Sequence, residues 1–304
     1  MKISIVGAGN VGSALAERLL MRGLAEVVLV DIAGNLARAK ALDLADAAPL
    51  MGYKTKITGT NNYEAIDGSE VIVVTAGFPR QPGMSRDDLI SKNQMIVSAV
   101  AGNVKKFAPG AILIMVTNPL DVMTYLAYKE TAFDRRRILG MAGNLDTARF
   151  KTLLAQETGV PPEKIDAFVL GSHGDTMVPL ISMTRVEGRP LTEVLKQDVI
   201  ERLVENTKMR GGEIVRLLKS GSAYFSPSAA CFEILNALVL DEKKVIPCSV
   251  VANGEYGIKN CAIGVPARIG RCGISEILEW NIAEEELSAL RKSAAAAQEA
   301  LAKL

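Results

Sequence analysis

A doubly wound parallel α/β sheet followed by a C-terminal α+β unit is the fold class this chain predicts, on three observations. Over the first half, short β-branched runs alternate with amphipathic helical stretches. Those runs are almost continuously apolar, as strands are when helices cover both faces of a parallel sheet. The second half changes to longer helices with fewer strands between them. A chain of 304 residues also exceeds what most single cores support. We therefore expect a first domain over residues 1–142 and a second over 143–304.

In order, strands are expected at Lys2–Val6, Val27–Asp31, Lys54–Thr58, Val71–Thr75, Ile112–Val116 and Arg137–Leu139, with helices over Val11–Arg22, Leu36–Ala48 and Asp87–Phe107. Beyond the boundary the pattern predicts helices at Leu145–Thr158, Thr192–Leu218 and Glu284–Leu304. Strands there are expected at Ile165–Leu170, Ile246–Ala252 and Cys261–Val265. No repeat of fixed period is present, and Ala294–Ala297 is simply good helix former.

Composition excludes several classes. Thirty-five basic residues balance 34 acidic ones, which leaves no electrostatic footprint for nucleic acid or an anionic membrane. Ala111–Val116 is among the longer apolar runs, far short of a membrane span. Met1 leads directly into the first strand without a basic-then-apolar leader. Cys231, Cys248, Cys261 and Cys272 are widely spaced, and the chain has a single histidine, so no Cys/His metal centre is expected. Reduced thiols and a cytoplasmic location follow as expectations.

The first motif is Gly7-Ala-Gly-Asn-Val-Gly12. The spacing alone is weak evidence, but here it leaves a strand and opens a helix, the context of a Rossmann-type dinucleotide fold. Gly7 takes the tight turn, Gly9 lets the backbone approach a pyrophosphate, and Gly12 lets helix and strand close up. Ala8, Asn10 and Val11 complete the loop, whose amides and helix dipole favour phosphate. Asp31, at the end of the second strand, is placed to accept ribose hydroxyls. Its charge would repel a 2′-phosphate by several kcal/mol, at an effective dielectric of about 20. Ile32-Ala33 supplies no cation to offset that. The expected cofactor is NAD rather than NADP.

Four further stretches hold polar residues where such a fold binds ligands. Gly77-Phe-Pro-Arg-Gln-Pro-Gly-Met-Ser-Arg86 is a proline- and glycine-bounded loop that places Arg80 and Arg86 between strand and helix. Ser85 and Asp88 resemble a capping box, which puts the Arg86 cation in the first helical turn, against the dipole. Val116-Thr-Asn-Pro-Leu-Asp121 sets Asn118 at the carboxyl end of the fifth strand, facing the crevice. In Gly143-Asn-Leu-Asp-Thr-Ala-Arg149, Asp146 and Arg149 share one helical face. Val169-Leu-Gly-Ser-His-Gly-Asp175 carries His173, whose imidazole titrates near neutral pH. Taken one at a time, each has an ordinary reading: solvated loop charge, an Asn-Pro turn, a surface ion pair, a turn histidine capped by Asp175.

Together and in this order, the motifs resemble those of the lactate/malate dehydrogenase family, and in particular its lactate-dehydrogenase-like malate dehydrogenases. The resemblance extends to Gly254-Glu-Tyr-Gly-Ile-Lys259 and the final helix. It implies that His173 is the proton donor and acceptor, that Asp146 orients it, and that Arg149 clamps the substrate carboxylate. It further implies that Arg86 polarises the reacting carbonyl and that Asn118 contacts both substrate and cofactor. Val116, Thr117 and Asn93 match further cofactor contacts. Asn144 departs from the pattern, since an apolar residue is more common before Leu-Asp.

Substrate choice within the family turns on position 80, where lactate dehydrogenases typically carry Gln and malate dehydrogenases Arg. The physics agrees: a four-carbon dicarboxylate can meet Arg149 with one carboxylate and Arg80 with the other. Pyruvate would leave Arg80 enclosed and unpaired, which costs several kcal/mol. Met84 removes an acid that could compete for Arg80. The expected activity is an NAD-dependent malate dehydrogenase interconverting (S)-malate and oxaloacetate. A lactate or other 2-hydroxyacid dehydrogenase is the alternative, and a non-enzymatic NAD-binding regulator the second. An NAD-dependent glycosidase would need metal-binding Cys/His that this chain lacks. A homotetramer, or failing that a homodimer, is expected by resemblance.

Overall fold

The computed structural model describes residues 1–78 and 86–304, with the backbone alone at Arg86 and Asp87. Six strands open the chain: β1 (Lys2–Val6), β2 (Glu26–Val30), β3 (Ile57–Thr60), β4 (Val71–Val74), β5 (Ile112–Met115) and β6 (Ile138–Gly140). They are all parallel and stand in the order β6-β5-β4-β1-β2-β3. Alternate residues of these runs face opposite cores, as the two-residue period of a strand requires. Ile3, Ile5, Val27, Leu29, Val71 and Val73 pack on one side, with Leu15 and Leu19. Val6, Val28, Val30, Ile72 and Val74 pack on the other, with Ile90, Val97 and Val104. Burial on both faces is why these strands read as unbroken apolar runs.

The connecting helices are α1 (Asn10–Arg22), α2 (Gly34–Met51), α3 (Arg86–Phe107) and α4 (Leu120–Thr131). Gly23 ends α1 in a left-handed conformation (φ 61°), its N–H capping the carbonyls of Leu19 and Leu20. α2 continues past Ala48 and carries Pro49 in its last turn, where Leu50 and Met51 are exposed.

Past residue 142 come α5 (Gly143–Thr158), β7 (Ile165–Asp166), β8 (Val169–Leu170), β9 (Val178–Pro179), β10 (Arg185–Val186) and β11 (Arg189–Pro190). They are followed by α6 (Leu191–Val194), α7 (Gln197–Leu218), α8 (Phe225–Val239), β12 (Lys244–Asn253), β13 (Lys259–Gly270), β14 (Gly273–Ile277) and α9 (Glu284–Leu301). β12 pairs antiparallel with β6 through Ser249–Gly140 and Val250–Leu139. The sheet is therefore mixed, with nine strands among the described residues, and runs on across the expected boundary. Phe150, Leu154, Ile165, Val169, Leu191 and Leu203 form a third core beneath α5 and α7.

Four sequence expectations need correction. The run Ile165–Leu170 is two short strands in different sheets, β7 pairing with β10 and β8 with β9. The helix expected over Thr192–Leu218 is broken by extended backbone at Leu195 and Lys196, and Leu195 packs into the third core. Arg137 belongs to a 3₁₀ turn, so β6 starts at Ile138. β3 begins at Ile57, later than expected, and includes Gly59. A Cβ on Gly59 would lie 2.1 Å from the Ala37 carbonyl oxygen, so only glycine lets β3 pass this close to α2.

Substitution at that contact has a definite cost. Gly59→Ala should lower unfolding free energy by about 1–3 kcal/mol through overpacking. Gly102→Ala, in α3 with open space where its Cβ would go, should raise it by about 0.5–1 kcal/mol. Urea unfolding of both variants checks the contrast.

Candidate functional site

In this strand order β1 and β4 are neighbours whose chains leave in opposite directions, which opens a crevice at their carboxyl ends. The glycine loop lies there. Gly7 has φ +112°, and a Cβ would lie 2.5 Å from Thr75 Oγ1. A Cβ on Gly12 would lie 2.0 Å from the Gly7 carbonyl oxygen, so helix and turn touch. Gly9 differs: nothing stands within 4 Å of its Cβ position, so its backbone faces open space at the start of α1. That division of labour fits a pyrophosphate group over Gly9.

Asp31 accepts the Ala8 N–H on Oδ2 (2.8 Å) and the Ala33 N–H on Oδ1 (2.9 Å). It braces the glycine loop and keeps lone pairs for a ligand hydroxyl, since a carboxylate accepts about four bonds. Ile32, Ala33, Gly34, Asn35, Arg38 and Asn61 line an adjoining cavity of about 550 Å³. Arg38 puts a cation on this wall that Ile32-Ala33 alone did not indicate.

Gly77 and Phe78, beyond β4, meet Thr117 and Asn118, beyond β5. A Cβ on Gly77 would lie 2.5 Å from Thr117 Cγ2. Thr117 follows the buried Val116, and its hydroxyl donates to the Ala76 carbonyl (2.6 Å), so it closes the crevice wall. Asn93, 1% exposed, accepts the Phe78 N–H (2.6 Å) and donates to the carbonyls of Phe78 (3.3 Å) and Asn118 (2.6 Å). Its amide thus staples the two loops together, while the Asn118 side chain is exposed. Arg80 lies outside the described residues, and so does the Arg86 side chain, whose backbone begins α3.

The first two turns of α5 deliver Asp146 and Arg149, and the turn after β8 delivers His173. Thr147 Oγ1 accepts the Val169 N–H (2.9 Å), joining helix to strand. His173 Nδ1 is 2.7 Å from Asp146 Oδ2, and Arg149 Nη1 donates to Asp146 Oδ1 (3.2 Å). One buried carboxylate therefore serves both cations. Arg149 is 11% exposed in its side chain, and its Nε has no hydrogen-bond partner among the described residues. Gly211 of α7 flanks the guanidinium, where a Cβ would lie 3.6 Å away. The arrangement offers a proton-transfer ring beside a guanidinium with spare donors, suited to an anion with an adjacent hydroxyl or carbonyl.

Sequence reasoning missed what lies beneath the ring. Asp121, 3% exposed, accepts the His173 N–H (2.8 Å) and the Ser172 hydroxyl (2.6 Å) on Oδ2, and the Ser249 hydroxyl (2.6 Å) on Oδ1. Ser293 of α9 accepts the Ser172 N–H (2.8 Å). Gly171 and Gly264 exchange backbone hydrogen bonds, and a Cβ on Gly264 would lie 2.4 Å from the Gly171 oxygen. The available signal was a lone acid among apolar residues, Leu120-Asp-Val-Met123. Asn144, the departure from pattern, donates to the Ala230 carbonyl (2.8 Å) and Glu233 (3.1 Å), tying α5 to α8.

Burial is the largest influence on the His173 ring and favours the neutral form. The Asp146 charge and hydrogen bond, helped by Asp121 and opposed by Arg149, outweigh it and raise the pKa above the ordinary histidine value. The stability this contributes is complete below the unfolded-chain value of about 6.5 and is lost as pH rises through the folded value. With one histidine in the chain, NMR of the ring reads that titration without assignment. Asp146→Asn should move the midpoint down; an unmoved midpoint would show that the pair is not what sets it.

Comparison with known proteins agrees with this geometry. Residues 1–140 match the family model of the lactate/malate dehydrogenase NAD binding domain, and residues 143–304 that of the alpha/beta C-terminal domain. The chain is 47% identical to a malate dehydrogenase of Chloroherpeton thalassium, over 100% of this chain and 98% of the relative. It is 46% identical to one of Methanosarcina mazei, over 100% and 99%. A solved malate dehydrogenase of Cryptosporidium parvum superposes with TM-score 0.97 at 39% identity, covering 100% of this chain and 98% of that one. The lactate dehydrogenase of that organism, complexed with lactic acid and nicotinamide adenine dinucleotide, gives 0.96 at 38% identity, covering 99% and 96%. No helix among the described residues is long and apolar enough to cross a membrane. By these matches over its whole length, the chain belongs to the lactate/malate dehydrogenase family.

Proposed function

We propose that the chain is an NAD-dependent malate dehydrogenase, interconverting (S)-malate and oxaloacetate. The observation that carries this reading is the buried Asp146 carboxylate shared by His173 and Arg149, with Arg149 Nε left free of partners among the described residues. The names of the relatives, malate dehydrogenases at 46% and 47% identity, support the substrate class. The fold alone favours neither substrate, since a lactate dehydrogenase superposes equally well. The choice rests on Arg80.

NAD is the proposed cofactor, with Gly7, Ala8, Gly9, Asn10, Val11 and Gly12 taking the phosphates and Asp31 the ribose. Arg38 on the neighbouring wall means that rejection of a 2′-phosphate depends on Asp31 itself rather than on a lack of cations. Val116, Thr117, Asn118 and Asn93 form the nicotinamide end of the crevice, Asn93 through the two loops it holds. When bound, the nicotinamide supplies the acceptor for the hydride from C2. This chain supplies the rest.

His173 takes the C2 hydroxyl proton on Nε2, because Asp146 holds Nδ1 and keeps the other nitrogen free. Asp146 then stabilises the imidazolium. Arg149 grips the carboxylate beside C2, Arg80 the distal carboxylate, and Arg86 the reacting oxygen. A dianion and its developing alkoxide thus meet three guanidiniums, and pyruvate would strand one of them. In oxaloacetate reduction the protonated ring returns its proton to the carbonyl oxygen.

We also propose that residues 1–142 and 143–304 are the two domains, that the protein is cytoplasmic, and that it assembles as a homotetramer or homodimer. Exposed Leu42, Leu50 and Met51 on α2, with Met209, Leu217 and Leu218 on α7, support self-association.

NADH absorbance with oxaloacetate, beside pyruvate, tests the reading directly. His173→Asn should lower kcat by about 10²–10⁴ with NADH binding intact. Arg80→Gln should lose oxaloacetate activity and gain on pyruvate; retained oxaloacetate preference would place the distal carboxylate elsewhere. Reduction should need protonated His173 and decline as pH rises through its raised value. A flat profile from neutral to mildly alkaline pH would remove His173 from the proton step.

A further inference from the structure

We propose that Asp121 is a positioning residue for His173, a second buried carboxylate that fixes the main chain under the imidazole and adds a negative charge beside it. This rests on the proton-transfer role proposed for His173.

Asp121 is three residues past Asn118, in the first turn of α4, yet its side chain serves the far half of the chain. Ser172 Oγ and His173 N reach Oδ2 at 2.6 and 2.8 Å, and Ser249 Oγ reaches Oδ1 at 2.6 Å. One carboxylate thus ties α4, the histidine turn and β12 at a single point. An acid in the first turn suits the α4 dipole, but this one is buried among Leu120, Val122 and Met123 and spends both oxygens on other elements. Three donors converging on the two oxygens favour the ionised form, because hydrogen bonds to an anion are about twice as strong as neutral ones.

The charge balance then becomes specific. Around the ring the described ionisable groups are Asp146 and Arg149 from α5 and Asp121 from α4. Cys261 of β13 lies near enough to feel the Asp121 charge; burial, with Asp121 adding to it, pushes that thiol up to about 12 and keeps it uncharged. With His173 protonated, two cations meet two carboxylates and the cluster is neutral. Without Asp121 the same protonation would leave a net positive charge in a buried place. Burial holds the Asp121 carboxyl above the ordinary carboxylate range, and the bonds from Ser172, Ser249 and the His173 backbone, with the imidazolium charge, offset that rise only in part.

Asp121→Asn separates charge from shape. The amide oxygen can accept from Ser172 and His173, and the Ser249 hydroxyl can turn to accept from the new NH₂. We expect kcat for oxaloacetate reduction to fall about tenfold with KM for NADH unchanged. The alkaline limb of the profile and the NMR midpoint of the ring should both move to lower pH. Ser293→Ala loosens the same turn from α9 without altering charge and should leave both midpoints in place. Midpoints unmoved in Asp121→Asn, or moved as far in Ser293→Ala, would overturn the proposal. Should Asp121→Asn fail to fold, Ser249→Ala removes a bond that favours the anion, lets the already raised carboxyl take up a proton more readily and so lessens its charge. It should move the midpoints the same way by less; no movement there would also overturn the proposal. The ring titration needs no substrate, so absence of malate or oxaloacetate turnover would count against the proposed function and not against this assignment.

Discussion

A single carboxylate, Asp146, holds together the parts of this molecule that do chemistry. It is almost completely buried, and its two oxygens are divided between His173 and Arg149. A lone buried anion is costly, and the cost is offset only where geometry and hydrogen bonding are good. The surrounding structure supplies both. α5 presents Asp146 and Arg149 one turn apart, β8 ends where the ring must start, and Thr147 pins the two elements together. Either cation removed would leave the carboxylate undercompensated, so the site's chemistry and its integrity are one constraint.

Much of the fold was legible because the central strands are covered on both faces. Lys2–Val6 reads as a strand and is one, and the neighbouring strands fall within a residue or so of where β-branched runs place them. Legibility fails where tertiary contact overrides local preference. Gly59 breaks a strand by propensity yet sits inside β3 because α2 lies against it. Ile165–Leu170 is a plausible single strand whose halves pair with different partners, which no local pattern encodes. The junction of β12 with β6 is likewise a long-range event, invisible to alternation and turn signals.

What the sequence made legible of the candidate site was the set of residues proposed to touch a ligand. His173, Asp146, Arg149, Asn118 and the glycine loop stand at strand ends and helix starts, where sequence context announces them. Asp121, Ser249 and Ser293 act one layer further in, and each is an ordinary polar residue within an element. Asn93 shows the intermediate case: the family resemblance pointed to the cofactor, and the amide is spent on joining Phe78 to Asn118. Arg80 and Arg86 carry the substrate argument and lie, as side chains, outside the described residues.

The nine-stranded sheet has a mechanical corollary. Because β12 is hydrogen-bonded along β6, one sheet runs from the glycine loop to β13, and the histidine turn, which leaves the small β8–β9 sheet, is tied to β13 through the Gly171–Gly264 bridge. Swinging one half away from the other would tear that ladder and split a core that draws on both. The floor of the cleft is therefore shared by the two halves rather than divided between hinged bodies.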